Sequence, residues 1–153
     1  MAHTFTDLLY HCVFSTKERR PFIDGDLLPE LTRVLGGIIR DRKGQLLECN
    51  AMPDHIHLLV VFHPTISVSD MLKAIKAGAT NWVHSRFGKT RAFAWQEGFS
   101  GFTVSYSDKD AVASYIRGQQ MHHQKQTFEE EFIELLQREG ISLESYDPRF
   151  IFG

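Results

Sequence analysis

Apolar and polar positions along the chain predict alternating strands and helices. The stretch Phe5–Thr16 is rich in Leu, Tyr, Val and Phe, which predicts a first strand, and the charged segment Lys17–Pro21 ends it. The next segment, Asp26–Arg42, carries apolar residues at helical spacing, and Gly44 is placed to end it. The chain therefore predicts a strand followed by a helix at its start.

The middle of the chain continues this alternation. Two strands are predicted at Gln45–Asn50 and His55–Phe62, joined by the proline-containing turn Ala51–Asp54. The aromatic segment Phe93–Ser105 contains glycine and predicts either one strand or a hairpin. Between them, Ser69–Phe87 predicts a second helix, whose inward residues are Met71, Leu72, Ile75, Ala79 and Val83.

The last part of the chain predicts two capped helices. Ser107 and Asp110 have the spacing of a capping box, which predicts a helix over 108–124, and Thr127 and Glu130 repeat that spacing before a final helix. The whole order is β-α-β-β-α-β followed by two helices. It predicts an α+β fold, a ferredoxin-like or RRM-like antiparallel sheet with helices on one face and the other face free for a nucleic-acid strand.

Length and composition set the domain organisation. The chain has 153 residues, of which 42% are hydrophobic and 24% charged. These values predict one domain over 1–153, with a βαββαβ core at 1–106, a tyrosine-bearing helix at 107–126 and a C-terminal helix and tail at 127–153. No run approaches the roughly 20 apolar residues of a membrane span, and we see no signal peptide. We therefore expect a cytoplasmic protein without membrane association.

Charge is distributed unevenly along the chain. The net charge of −2 divides into +3 for residues 1–126, with 15 Lys and Arg against 12 Asp and Glu, and −5 for residues 127–153, with 2 against 7. The acidity thus belongs to the C-terminal helix and tail. The mildly basic remainder permits contact with phosphate groups without demonstrating it.

A pair of histidines opens the third predicted strand. His55 and His57 stand two positions apart, so both side chains project from the same face of the strand while Ile56 points into the core. Two imidazoles at this spacing can share one divalent ion. The alternative is a pair of polar residues on an exposed sheet face. A Pro-Asp turn directly precedes the pair and an apolar strand follows it, and this context favours metal binding over the exposed polar pair.

A second candidate constellation lies in the helix predicted over 108–124. Tyr115 and Gln119 stand four positions apart on one helix face, and His122 continues that face. A tyrosine oxygen can attack a phosphodiester, and a metal held by His55, His57 and the Gln119 amide would polarise the phosphate. The alternative is a half-buried helix aromatic beside a solvated glutamine.

Together these residues resemble the HUH single-tyrosine transposases of the insertion-sequence-200/605 type. The resemblance covers nearly the whole chain and is centred on the Met-Pro-Asp-His-Ile-His segment and the Tyr-x-x-x-Gln helix. The matching positions are Leu9–Lys17, Arg19–Pro21, Met52–Val60, Trp95–Phe99, Val104, Ser105, Tyr115, Ile116, Gln119, His122, His123, Phe128, Glu131 and Phe132.

The resemblance implies a transposase that cleaves and rejoins single-stranded DNA at transposon ends through a 5′-phosphotyrosine on Tyr115. The C-terminal helix that carries Tyr115 would then be the catalytic helix. His55, His57 and Gln119 would hold Mg²⁺ or Mn²⁺, with His122 as an accessory residue. The DNA would carry hairpins. The protein would act as a homodimer, in which the tyrosine helix of one subunit can complete the histidine pair of the other.

Several charged residues have less specific interpretations. The acidic run Glu129–Glu131 is interpreted as a solvated first helical turn, where negative charge suits the helix dipole. His11 is not assigned as a metal ligand. Basic residues in two loop regions are candidate DNA contacts, although ordinary solvated charge explains each of them equally well: Lys17, Arg19, Arg20, Arg86, Lys89 and Arg91.

Three other functions stay open at this point. The protein could be a domesticated relative or a replication-type nickase with the same chemistry. It could be a non-catalytic module that binds single strands on its sheet. It could also be a metal-dependent nucleotide hydrolase, which is disfavoured because Leu59 stands where a third histidine would be expected.

Overall fold

A four-stranded antiparallel sheet is the centre of the computed structural model, which describes residues 3–87 and 92–142. The spatial order of the strands is β2-β3-β1-β4. Their bounds are β1 Leu9–Ser15, β2 Gln45–Met52, β3 His55–Val61 and β4 Ser100–Thr103. This order places β1 and β3 at the centre of the sheet, and it confirms the predicted ferredoxin-like α+β fold.

Five α-helices and two single-turn 3-10 helices, Lys17–Arg19 and Tyr106–Asp108, accompany the sheet in the described residues. Two are long, and three short helices follow β4. Their bounds are α1 Leu27–Asp41, α2 Val68–Phe87, α3 Lys109–Arg117, α4 Gln119–His122 and α5 Phe128–Arg138. Within residues 3–87 and 92–142, no helix is long and apolar enough to cross a membrane.

The main hydrophobic core lies between the sheet and helices α1 and α2. Ile56, Leu58 and Val60 of β3 have no exposed surface and point into this core, as strand alternation predicts. The inward residues expected from α2 are all buried as well. Burial of each large aliphatic side chain contributes about 1.5–3 kcal/mol relative to exposure, so this layer stabilises the fold.

The opposite face of the sheet is covered, and the expectation of a free face is wrong. Ile116 of α3 packs on Leu9 and Leu59, and Phe132 of α5 packs on Phe102 of β4. The C-terminal helices are amphipathic, so their apolar stripes must be buried against another surface. The sheet face that was expected to receive a nucleic-acid strand supplies that surface.

The helix expected over 108–124 is interrupted. Gly118, with φ −87° and ψ 12°, separates α3 from α4. The capping box expected at Ser107 and Asp110 is wrong, because α3 begins after Asp108 without a side-chain cap, and the Ser105 hydroxyl donates to the Asp108 carboxylate instead. Tyr115 and Gln119 therefore belong to two different helices.

The remaining boundaries differ less from expectation. The cap of α5 is confirmed, since the Glu130 backbone N–H donates to the Thr127 hydroxyl over 3.2 Å. The first strand begins at Leu9 rather than at the strongly exposed Phe5. The segment expected as one strand or a hairpin forms the single short strand β4, preceded by an isolated bridge between Trp95 and Thr16.

Candidate active site

The histidine pair of β3 faces the C-terminal helices. His55 and His57 are both fully buried, and their ring centroids lie 5.2 Å apart. They share one face because they are two positions apart on a strand. Since α3, α4 and α5 cover that face, the alternative of an exposed polar pair is excluded.

Each histidine of the pair is oriented by a contact at its Nδ1 atom. The Nδ1 atom of His55 lies 2.8 Å from the carboxylate of Asp54, which stands in the turn before β3. The Nδ1 atom of His57 lies 2.9 Å from Nε2 of His11 on the neighbouring strand. These contacts direct both Nε2 atoms toward the C-terminal helices. In metal sites, a hydrogen bond at the imidazole nitrogen that does not bind the metal fixes the orientation of the ring.

Glu131 of α5 lies at the centre of this cluster, so its interpretation as a solvated residue is wrong. Its side chain is 1% exposed, and its Oε1 atom lies 3.1 Å from Nε2 of His57. The sequence did contain a signal for this position. Glu131 stands three residues after Phe128 and four before Leu135, which places its carboxylate within the apolar stripe of α5.

Tyr115 and Gln119 meet the same carboxylate from the other side. The Tyr115 hydroxyl donates a hydrogen bond to Glu131 Oε2, and the Tyr115 ring centroid lies 5.8 Å from that of His57. Gln119 is fully buried, and its amide nitrogen donates to Glu131 Oε2 over 3.0 Å. The alternative of a solvated glutamine is therefore excluded.

Two consecutive histidines complete the cluster. His123 is mostly buried, and its Nε2 atom lies 3.2 Å from Glu131 Oε1 and 2.9 Å from the Gln119 amide oxygen. His122 has a side chain that is 34% exposed, and its Nε2 atom lies 3.5 Å from the other oxygen of Glu131. His123 is thus closer to the centre than His122, the residue expected to be accessory.

The electrostatics of the cluster follow from burial and close contact. Burial favours the neutral form of Glu131, but the imidazoles of His55 and His57 outweigh it and hold the pKa of the carboxyl well below its usual range. Burial, assisted by Glu131, raises the pKa of the Tyr115 hydroxyl. Burial lowers the pKa of His57, and it lowers that of His11 to about 3. A buried carboxylate that stays ionised attracts a cation.

His55 differs from the other two strand histidines. Burial lowers its pKa, but the adjoining carboxylates of Asp54 and Glu131 outweigh burial, so the net pKa is raised. Its Nε2 atom is nevertheless buried without a hydrogen-bond partner among the described residues. An inward-pointing imidazole nitrogen in this position is chemically suited to a metal ion.

The donor set of the cluster fits a divalent cation. One nitrogen from each of three histidines and one carboxylate oxygen lie within 4.8 Å of one another, from His55, His57, His123 and Glu131. Imidazole and carboxylate are the ligands that zinc, manganese and iron sites use.

Helix α3 is docked against the sheet by polar contacts at its carboxyl end. The side-chain amide of Asn50 on β2 donates to the backbone carbonyls of Ile116, over 2.9 Å, and Arg117, over 3.2 Å. Asn50 also exchanges two hydrogen bonds with the side chain of Gln120, and Arg117 pairs with Glu48 at 2.7 Å. These contacts hold Tyr115 beside the histidine pair of its own chain.

The candidate DNA contacts are only partly placed beside the site. Arg19 lines an open groove together with Asp54, His55 and His123, and it pairs with Glu129 at 2.5 Å. The other candidates have separate locations. Lys17 is exposed, Arg20 pairs with Glu18, Arg86 lies over the Phe87 ring, and Lys89 and Arg91 fall outside the described residues.

Comparison with known proteins decides the family. The family model described as “Transposase IS200 like” matches residues 4–119. This chain belongs to that family. An IS200 transposase of Salmonella typhimurium is 30% identical over 129 residues, covering 78% of this chain and 81% of the relative. The ISDra2 transposase TnpA of Deinococcus radiodurans is 24% identical over 117 residues, covering 73% and 84%.

Solved structures support the same fold. A Deinococcus radiodurans protein, solved as a candidate transposase, aligns with a TM-score of 0.63 and 24% identity, covering 78% of this chain and 95% of that one. A REP-associated tyrosine transposase, solved with a REP hairpin, aligns with a TM-score of 0.59 and 16% identity, covering 80% and 72%. The protein is therefore a transposase enzyme of a metal-dependent family, with a buried histidine-rich cluster able to bind a metal.

Proposed function

We propose that this transposase cleaves and rejoins single-stranded DNA at transposon ends, with Tyr115 as the nucleophile. One observation carries the proposal: the Tyr115 hydroxyl and the Nε2 atom of His57 contact the same buried carboxylate, that of Glu131. The candidate nucleophile and the candidate metal ligands therefore converge on one point. A phosphate bound there would meet both.

The reaction is a transesterification. The hydroxyl oxygen of Tyr115 bonds to the phosphorus while the bond from phosphorus to the 3′ oxygen breaks, leaving a 5′-phosphotyrosine and a free 3′-hydroxyl. In the resting site the Tyr115 hydroxyl donates its hydrogen bond to the Glu131 carboxylate. The tyrosine proton leaves as the new bond to phosphorus forms, and the leaving 3′ oxygen takes up a proton to become the hydroxyl. A 3′-hydroxyl from another strand reverses these steps. Because one phosphoester replaces another, rejoining requires no ATP.

A divalent metal supports the attack. His55 and His57 would hold Mg²⁺ or Mn²⁺, with Gln119 as the third ligand that the family resemblance implies. The Gln119 amide donates to Glu131, the same residue that His57 contacts. When bound, the ion supplies Lewis-acid polarisation of the phosphate. The raised pKa of Tyr115 keeps its hydroxyl protonated next to an anionic carboxylate, so added positive charge favours ionisation. His122, at the open side of the cluster, would assist as an accessory residue.

The proposed substrate is single-stranded DNA with hairpins at the transposon ends. The solved relative that holds a REP hairpin supports this class of DNA. Arg19, in the groove beside His55, supports a path for the strand into the site, and Lys17, Arg20, Arg86, Lys89 and Arg91 are proposed as further phosphate contacts. We also propose that the enzyme acts as a homodimer.

The decisive experiment tests the covalent step. Labelled single strands from both flanks of the gene are incubated with the enzyme and Mg²⁺ or Mn²⁺, and denaturing gels are examined for a labelled protein. We expect a metal-dependent adduct with the wild type and none with Tyr115→Phe. Tyr106→Phe is the matched control, because Tyr106 is 72% exposed and lies just before α3. An adduct that persists in Tyr115→Phe would refute the assignment.

The same samples distinguish the other functions. DNA binding that survives both Tyr115→Phe and metal removal, without any adduct in the wild type, would indicate a binding module. Turnover of small nucleotides without an adduct would indicate a nucleotide hydrolase.

Assembly of the site is tested by mixing inactive variants. Tyr115 lies against His57 of its own chain, so we expect a mixture of Tyr115→Phe and His57→Ala to remain inactive. Restored adduct formation in the mixture would show that the tyrosine helix acts on the partner subunit in the homodimer.

A further inference from the structure

An apolar cleft lies between the edge of the sheet and the last helix. In the described residues β4 is an edge strand, paired with β1 alone, and the cleft between β4 and α5 has a volume of about 410 Å³. We call it the β4–α5 cleft. Its apolar lining includes four phenylalanines and two aliphatic residues: Phe99, Phe102, Phe128, Phe132, Leu136 and Ile141.

Both walls of the β4–α5 cleft are held by contacts with the rest of the fold. Lys76 of α2 donates hydrogen bonds to the backbone carbonyls of Gln96, over 2.9 Å, and of Gly98. On the other wall, Leu136 is buried in the cluster that α5 forms with β4. The cleft is therefore preformed, yet Phe99 at its edge is 40% exposed. A preformed apolar cleft with an exposed aromatic edge is suited to receive another apolar group.

The chain turns back toward this cleft at the end of α5. Gly140 has a φ of +74°, and its N–H donates to the Gln137 carbonyl over 3.1 Å. The Ile141 N–H donates to the Leu136 carbonyl over 2.9 Å, which completes a Schellman motif. Ile141 accordingly lines the cleft, and the described part of the chain ends one position later, at Ser142. The residues that follow therefore start beside the cleft.

The remaining segment, residues 143–153, has an apolar end. Phe150, Ile151 and Phe152 are consecutive, and Pro148 precedes them closely. Proline disfavours helical backbone in the residue before it. In extended backbone, side chains two positions apart project from one face, so Phe150 and Phe152 can enter a cleft together. Phe150 is eight positions beyond residue 142, and eight extended residues span up to roughly 26–29 Å, twice the length of a four-residue strand.

We infer that the C-terminal segment 143–153 docks in the β4–α5 cleft of its own chain, with Phe150 and Phe152 against the aromatic lining. Aromatic rings packed on one another gain more than their buried area alone provides. The chain's own segment is the favoured occupant, because a short tether gives it a high effective concentration at the cleft. Since Glu131 also belongs to α5, the docked segment fastens the helix that carries the buried carboxylate.

Photocross-linking in the full chain tests where the segment lies. The photoreactive residue p-benzoylphenylalanine replaces Phe152, the protein is irradiated, and mass spectrometry locates the linked peptides. We expect links to residues 96–102 and 128–141, in a product that keeps the mass of one chain on denaturing gels. The matched control places the same probe at Phe5, which is 93% exposed, and should give no link to the cleft.

A second measurement reports whether the docked rings stabilise the fold. Phe150→Ser combined with Phe152→Ser should uncover the cleft. Binding of the apolar dye ANS should therefore increase, and the Tm should fall by about 5–10 °C. Phe5→Ser removes one exposed ring and should leave both dye binding and Tm at the wild-type values.

Two results would overturn the inference. A cross-linked product with the mass of two chains would show that the cleft receives the segment of a second copy. Links confined to other parts of the protein, together with wild-type dye binding and Tm in the double variant, would show that the segment does not dock in the cleft at all.

Discussion

The two faces of the sheet are built on different principles. The face under α1 and α2 holds one continuous apolar core. The face under α3 and α5 holds two smaller apolar clusters, and the buried group of His55, His57, Gln119 and Glu131 lies on this side. The first arrangement stabilises the fold through burial of apolar surface alone. The second contains a buried carboxylate and buried imidazoles whose pKa values are shifted, which is typical of sites shaped for binding or catalysis.

A single strand serves both faces. On β3, Ile56 and Leu58 point to the apolar core, while His55 and His57 point to the polar cluster. All four side chains are fully buried, so exposure does not distinguish them. The four side chains differ only in the chemistry of their surroundings. Substitutions on the two faces should therefore have separable effects on stability and on metal binding.

The largest effect on stability is expected on the apolar face. Leu58→Ala removes a fully buried side chain and leaves a cavity, which should lower the free energy of unfolding by about 2–5 kcal/mol. Urea denaturation measures this change. Mn²⁺ affinity of the folded variant should stay at the wild-type value. A large loss of affinity would show that the two faces are energetically coupled.

Metal binding should stabilise the protein through the polar face. At a Mn²⁺ concentration about 100 times the Kd, the free energy of unfolding should rise by about 2.7 kcal/mol, because the ion binds only the folded chain. Thermal unfolding with Mn²⁺ and with a chelator measures the difference. His57→Ala should show no such gain. Equal stabilisation of that variant would place the ion elsewhere.

A smaller effect is expected where α3 docks on β2. Asn50→Ala leaves the carbonyls of Ile116 and Arg117 without their side-chain donor, which should cost about 1–3 kcal/mol. Adduct formation should fall because Tyr115 is less firmly placed, whereas Mn²⁺ binding should be retained.

The control for this change is Glu48→Gln, which removes the exposed ion pair with Arg117 and should cost at most about 1 kcal/mol. If both variants lose the same stability and the same activity, the amide contact has no special role in placing the tyrosine helix.

The smallest effect is expected at the contact between the loop after β1 and α5. Arg19 and Glu129 form a pair whose side chains are 28% and 46% exposed. Arg19→Gln should therefore lower the free energy of unfolding by only about 0.2–1 kcal/mol, and high salt should reduce the difference. Paired urea titrations at low and high salt measure it. A larger, salt-independent loss would identify a structural role for this contact.

The apolar face could be predicted from sequence because local periodicity determines it. The residues expected to be inward on α2, such as Ile75 and Val83, are buried, and Ile56 points into the core as expected. The polar face depends on contacts between distant parts of the chain. The hydrogen bond between His57 and Glu131 spans 74 positions, and no local pattern specifies such a pair.

Part of the polar face was nevertheless predictable. Strand alternation placed His55 and His57 together, and a carboxylate within the apolar stripe of α5 was a readable sign that Glu131 is buried. The break between α3 and α4 was harder to predict, because a single glycine such as Gly118 is found both within helices and at their ends. This interruption allows Tyr115 and Gln119 to approach Glu131 from separate helices.

The location of Glu131 on α5 has a consequence for protein engineering. The family match ends at residue 119, so a minimal transposase designed to retain the matched region would keep His55, His57, Tyr115 and Gln119. Such a truncated protein would lack the carboxylate around which those side chains gather, and Phe102 would lose its apolar cover. A shortened enzyme therefore needs α5, or an equivalent carboxylate-bearing helix, although the histidine pair and the Tyr-x-x-x-Gln segment both precede it.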